Sequence, residues 1–220
     1  IRCKHLLLPK DYIRFLLTGD YATDVSDASG MQFLDVPKRT WSRELLERLE
    51  IPQELLPRLY ESAEITGSML PEVCKKLGLG CGTTVVAGAG DCAASAVGTG
   101  VVRDGTAMLT IGSSGVVFAH SKEIKIDPAG RIHTFCAAVP GEWHVMGVAQ
   151  SSGLSLKWYR QLFERTGGAR MENFYREMDD AAEKLPIGSQ RLLYLPYLMG
   201  ERTPHMDPCA RGVFFGLSNL

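Results

Sequence analysis

The chain has 220 residues, 45% of them hydrophobic and 22% charged. That is enough apolar side chain to bury a core and too much for a disordered segment. Lys and Arg number 24 against 25 Asp and Glu, a formal net charge of -1, and their dispersal along the sequence forms neither a basic stripe for nucleic acid nor a charged tail.

Tyr12, Ile13, Leu16 and Leu17 recur at helical spacing, with Pro9 ahead and Gly19 behind, so a helix is expected from Asp11. Residues 20–40 are polar and turn-rich. Ser42 can cap a second helix through Leu49, with Leu45, Leu46 and Leu49 on one face. Pro52, Pro57 and Pro71 punctuate Ile51 to Gly82, which reads as short helices and connections. TTVVAG, from Thr83, is a β-branched run with the composition of a buried strand. Small residues from Ala93 to Val97 suggest a closely packed helix. VVRDGTAMLTIG and GVVFAHS are strand-like, turning at Asp104-Gly105 and at Gly112–Gly115, and residues 131–149 read as further strands. Leu154, Trp158 and Leu162 recur every four residues on an amphipathic helix. Another helix is expected over Met171 to Lys184, and RLLYLPYL is extended.

Strand-rich and helix-rich stretches alternate, which makes the class α/β, and the composition changes near residue 80. No apolar run reaches the ~18 residues of a membrane span, and no secretory signal pattern is present, so a cytoplasmic protein is expected. The chain does not start with Met and stops at GVFFGLSNL without a turn or cap, so it reads as a piece of a longer protein. Six cysteines, at 3, 74, 81, 92, 136 and 209, form no C-x-x-C pair and are expected as free thiols. His133, Cys136 and His144 lack a fourth ligand at a recognised spacing, so they read as structural and no metal ligand is assigned.

The chemistry concentrates in VVAGAGDCAASAVGTG, where Asp91 is the one charged residue. Asp91 can be read as the N-cap of the helix that follows. Gly88, Gly90 and Ala93 fit a dinucleotide-binding G-x-G-x-x-A, but that fold needs an acid about 20 residues on, where MLTIG has none. The third reading is a catalytic base. A strand, a glycine turn and a helix start hold a carboxylate at an open sheet edge, ionised by the helix dipole and ready to take a hydroxyl proton. Phosphoryl transfer also needs donors for phosphate oxygens. TIGSSG, Thr110 to Gly115, can supply them from its backbone and from Ser113 and Ser114, or can be a plain β-turn.

Five stretches together carry a resemblance: LLLPKDYIRFLLTGDYATDVSDASG, LPRLYESAEITGSMLPEV, VVAGAGDCAASAVGTG, AMLTIGSSGVVFA and LPYLMGERTPHMDPCARGVFFGL. They resemble the FGGY family of carbohydrate kinases over nearly the whole chain. The resemblance implies a two-domain kinase of the actin, hexokinase and chaperone-ATPase (ribonuclease H-like) fold. Residues 1–80 would then be the C-terminal part of the first domain and 81–220 the N-terminal part of the second. It implies ATP and Mg2+ as cofactors and a small-molecule sugar as partner, with no nucleic acid, no membrane, and a homodimer as a possible assembly. Asp91 matches the family's catalytic base, Gly112 and Ser113 its phosphate turn, and Gly153 and Lys157 a helix beside the nucleotide. That helix also has a plainer reading, as core packing with a solvated lysine. Asp91 and its neighbour face the sugar, and here the sequence departs from the family. The neighbour is usually Asn or Gln, whereas this chain has Cys92, a weak donor, which leaves a ketose, a polyol or an aldonate as acceptor. The piece alone is expected to be inactive, and a non-catalytic fragment that binds only ligand or partner stands as the alternative outside enzyme function.

Overall fold

The structure, a computed structural model, describes residues 3–167 and 172–218. Helix α1 (Pro9–Thr18) starts on a proline, whose missing N–H is no loss in a first turn, and ends where Gly19 donates to Phe15 O at 2.7 Å. The apolar pattern locates this helix but not its buried face. Tyr12, Ile13 and Leu16 are exposed, while Asp11, Arg14 and Thr18 are buried. Hydrogen bonding is the reason: Arg14 donates to Thr66 Oγ1 at 2.9 Å, to Ala22 O at 3.3 Å and to Asp20 O.

Residues 20–40 hold regular structure rather than turns alone. Strand β1 (Ala22–Asp24) runs into the short helix α2 (Val25–Ala28), and β2 (Leu34–Asp35) pairs antiparallel with β3 (Thr40–Trp41). Ser42 caps α3 (Arg43–Arg48) as expected, its Oγ accepting from Leu45 N at 3.4 Å. Strand β4 (Arg58–Tyr60) pairs in parallel with β1. Then come β5 (Ile65–Ser68), α4 (Pro71–Leu77) and β6 (Thr84–Val86), which pairs antiparallel with β5. Ile51 to Gly82 therefore contains two strands, each too short to display an alternating pattern. Strand β6 is not buried as expected. Thr84 and Val86 are exposed, because β5 and β6 form a sheet of two.

Helix α5 (Asp91–Gly98) buries Ala93 and Ala96. Strands β7 (Ala107–Ile111), β8 (Gly115–Ser121), β9 (His133–Cys136) and β10 (Trp143–Ala149) form a sheet of order β7-β8-β10-β9. Helices α6 (Gly153–Arg165) and α7 (Phe174–Glu183) follow, then the antiparallel pair β11 (Leu193–Leu195) and β12 (Val213–Phe215). The helix expected from Met171 begins at Phe174, and Met171 lies outside the described residues.

The chain divides into two compact units. The first runs to Met108 and includes Phe118–Asp127 and His133–Met146; the second comprises Leu109–Val117, Pro128–Ile132 and the chain from Gly147 on. Val25, Ala28, Leu34, Trp41, Leu46, Leu56 and Cys136 form the main core of the first unit. Each large side chain so buried stabilises by about 1.5–3 kcal/mol. Trp41 satisfies its indole by donating to Pro57 O at 3.0 Å. A smaller cluster, Ala96, Val101 and Phe118, packs beneath α5. His144 is buried with its ring stacked on Phe118 at 4.2 Å and edge-on to Phe135. In the second unit Phe174 is buried beside Tyr159 and Phe163, and Tyr194 stacks on Phe214 at 4.7 Å. All six cysteines are free thiols.

Candidate active site

In the first unit, the turn between β6 and α5 carries Asp91. Ala87 N donates to Glu64 O and Gly88 N to Ser62 O, each at 3.0 Å. Lys10 Nζ donates to Ala87 O at 3.2 Å, and Gly90 N to Ser26 Oγ at 3.1 Å. Gly88 takes φ +81°, a left-handed conformation that glycine adopts at little cost. The N-cap of α5 is Gly90, not Asp91, so the capping reading is corrected by one residue. Gly90 has the extended backbone of a cap, and Asp91 is already helical. Its Oδ1 accepts from Cys92 N at 2.7 Å, and the carboxylate is exposed at the helix start. An acid in the first turn is stabilised by the helix dipole.

Behind the turn lies a polar network that no spacing in the sequence announces. Asp11 and Asp24 are fully buried. Lys10 Nζ lies 2.6 Å from Asp11 Oδ1, 3.0 Å from Asp24 Oδ1 and 4.0 Å from Asp27 Oδ2. The contact to Asp24 is an ion pair without hydrogen-bond geometry. Asp24 Oδ2 accepts from Ser26 N at 2.8 Å, from Ser62 Oγ at 3.1 Å and from the Ser26 hydroxyl. Burial pushes the Lys10 ammonium down, but Asp24 and Asp11 outweigh it and hold its pKa above the ordinary value. Burial raises the Asp27 carboxyl; Lys10 opposes this, and Asp24, Asp11 and Asp91 add to it.

Cys92, expected beside the sugar, is half-buried against the Ala96–Val101–Phe118 cluster. Burial pushes its thiol pKa up, and the neighbouring Asp91 carboxylate pushes it further. It is therefore a neutral thiol with one side on apolar packing.

In the second unit, Gly112 and Ser113 lie in the β7–β8 turn, which is closed by Gly112 N donating to Ser114 O at 2.9 Å. The turn is joined to the start of α6. Gly153 N donates to Gly112 O at 2.8 Å, and Ser152 N and Leu154 N donate to Ser113 O at 2.8 and 3.2 Å. A Cβ on Gly153 would stand 2.6 Å from Gly112 O, so only glycine permits this approach. The structure thus brings Gly112, Ser113 and Gly153 together, with Lys157 exposed one turn further along α6. Among the described residues, no group of three or more His, Cys, Asp or Glu is arranged to hold a metal ion.

Two family models cover the chain: the N-terminal domain of the FGGY family of carbohydrate kinases over residues 1–98, and its C-terminal domain over residues 107–219. The chain belongs to the FGGY family of carbohydrate kinases. This FGGY chain is 45% identical to a xylulose kinase of Escherichia coli (strain K12), over 97% of its own length and 43% of that protein. The crystal structure of a xyloylose kinase from Brucella ovis superposes with a TM-score of 0.88 at 39% identity, covering 98% of this chain and 43% of that one. A gluconate kinase from Lactobacillus acidophilus gives a TM-score of 0.87 at 32% identity, over 98% of this chain and 43% of that one. The FGGY chain therefore spans about 43% of the length of these relatives. The N-terminal family match runs past the composition change near residue 80 to residue 98, taking in β6 and α5. Among the described residues, no helix is long and apolar enough to cross a membrane.

Proposed function

We propose that this chain is part of an ATP-dependent xylulose kinase that converts D-xylulose and ATP to D-xylulose 5-phosphate and ADP. The observation that carries phosphoryl transfer is the exposed carboxylate of Asp91, held at a helix start on a turn anchored by four hydrogen bonds. Asp91 takes the proton of the sugar hydroxyl as that oxygen bonds to the γ-phosphorus. The bond from the γ-phosphorus to the bridging oxygen breaks, and ADP carries away the electron pair. Gly112 and Ser113 contact the phosphates, and Gly153 and Lys157 border the nucleotide. Cys92 lies beside the acceptor. The choice of D-xylulose rests on the similarity to the Escherichia coli xylulose kinase. A Mg2+ ion entering with the nucleotide would be held chiefly by phosphate oxygens and water, and would neutralise charge on the transferred group. The described residues make no cage for it.

The two kinase domains meet, on this reading, between residues 98 and 107, where the family matches part, rather than near residue 80. The use of ATP fits a cytoplasmic enzyme. These 220 residues alone are expected to be inactive, since positioning needs contacts from both walls of a cleft.

A second reading, an aldonate kinase, is favoured by the likeness to the gluconate kinase and by the thiol of Cys92. Coupled ADP release by the complete kinase, measured against D-xylulose, D-ribulose, glycerol and D-gluconate, tests both. D-xylulose is expected to give the highest kcat/KM. Preference for D-gluconate would replace the first reading with the second, and turnover of none would remove both.

A further inference from the structure

The turn that carries Asp91, Ala87-Gly88-Ala89-Gly90, has no large side chain with which to pack. Ala87 is buried, and beyond that small apolar contact the turn is held by hydrogen bonds. Of the four that hold it, three come from residues that also touch the carboxylate of Asp24. Lys10 donates to Ala87 O and pairs with Asp24 Oδ1. Ser26 Oγ accepts from Gly90 N and donates its one proton to Asp24 Oδ2. Ser62 O accepts from Gly88 N, while its hydroxyl donates to Asp24 Oδ2.

The direction of these bonds matters. A serine hydroxyl has one proton, and at Ser26 the carboxylate takes it. The oxygen then faces the Gly90 N–H only as an acceptor, so the carboxylate fixes which way the link to the turn runs.

Asp24 also caps α2, accepting from Ser26 N and Asp27 N. That task alone does not account for the arrangement. A helix of four residues needs no fully buried carboxylate, and an ionised carboxylate kept from water requires a matching cation and donors. Here the cation and both hydroxyls belong to residues that also hold the catalytic turn.

We propose that Lys10, Asp24, Ser26 and Ser62 form a buried clamp, with Asp24 at its hub, that positions the Asp91 carboxylate for the proton transfer. The inference rests on the reading of Asp91 as the base. These are positioning residues, which touch the turn and act through Asp91.

A double-mutant cycle in the complete kinase tests it, with kcat for sugar phosphorylation as the readout. Ser26→Ala removes the oxygen that receives Gly90 N and leaves Lys10 to balance the buried carboxylates. Its kcat is expected to fall roughly three- to tenfold, with the ATP KM within about twofold of the parent. In an Asp91→Asn background, the same substitution is expected to have no further effect on kcat. Ser62→Ala, which touches Asp24 but does not alter the backbone link to Gly88, repeats the cycle and carries the test if Ser26→Ala does not fold. An undiminished kcat in both serine variants, or the same loss with and without Asp91, would overturn the clamp. Failure of the parent reading looks different: Asp91→Asn by itself would then leave kcat intact, and the clamp would fall with it.

Discussion

Asp91 sits where a carboxylate is least constrained by packing, so its removal separates chemistry from stability. Asp91→Asn keeps the acceptor for Cys92 N and changes no buried contact. Sugar turnover is expected to fall by roughly 10²–10⁴, the usual contribution of a general base, while stability changes by no more than the helix-dipole contribution of about 0.3–1 kcal/mol. Parallel rate and melting measurements check this, and a stability loss with turnover preserved would contradict it. Cys92 is the companion case. Cys92→Asn places an amide with two donors where a thiol rests against Ala96, Val101 and Phe118. If D-xylulose is the acceptor, one added hydrogen bond of about 0.5–1.5 kcal/mol should lower the sugar KM a few-fold and leave the ATP KM unchanged. Kinetics on both forms read this directly, and a raised D-xylulose KM would favour the aldonate. At this scale the sequence was informative because Asp91 stands alone among glycines and alanines. Its offset from the cap was not legible, because it depends on the extended backbone of Gly90.

Among the elements, helix α1 shows what periodicity can and cannot supply. Its apolar spacing marks a helix, yet the face it buries is polar, because Arg14 meets acceptors on residues 20, 22 and 66. Hydropathy carries no information about such partners. Strands β4 and β5 were hidden for a simpler reason: at three and four residues they are shorter than a pattern. Helix α6 was visible in Leu154, Trp158 and Leu162, but the need for glycine at its start was not. Gly153→Ala would drive a methyl to 2.6 Å from Gly112 O, a backbone atom that cannot swing aside. We expect the kinase to lose about 1–3 kcal/mol of stability and at least tenfold in kcat/KM for ATP, with a smaller change in the sugar KM. Unfolding curves and ATP titrations at saturating sugar measure both. An unchanged ATP response would remove Gly153 from the nucleotide's surroundings.

For the molecule as a whole, the least legible feature is the clamp behind Asp91. Lys10 reaches Ala87 across 77 residues and Ser26 reaches Gly90 across 64, distances at which no motif spacing operates. Lys10 stands at a helix start and Ser26 in a polar stretch, and nothing in either marks a partner of the Asp91 turn. Global stability has a comparable hidden dependence in His144. Burial lowers its pKa to about 4, His120 adds to that effect, and a backbone contact at Cys136 opposes it. Below the unfolded value of 6.5 the unfolded chain binds a proton that the folded chain refuses, so this group destabilises the fold as pH falls from 6.5 towards about 4. Above pH 6.5 both forms are neutral and the contribution vanishes. Between pH 7 and pH 5 it amounts to about 2 kcal/mol. Urea melts at the two pH values are expected to show His144→Phe losing that much less than the parent. Equal losses would mean that His144 is not buried in its neutral form.

The bonds between the β7–β8 turn and α6 also have a dynamic consequence. A helix normally leaves its first amides open, and they are the first to trade hydrogen with solvent. In α6 the amides of Ser152, Gly153 and Leu154 go to carbonyls of the turn, and Ser155 N goes back to Ser152 O at 2.9 Å. No frayed end is left. In deuterium oxide these four positions should exchange at rates close to those of the helix interior, and any event that opens the turn should release Ser152, Gly153 and Leu154 together. The turn and the first coil of α6 would then be a single cooperative unit, with its own opening free energy.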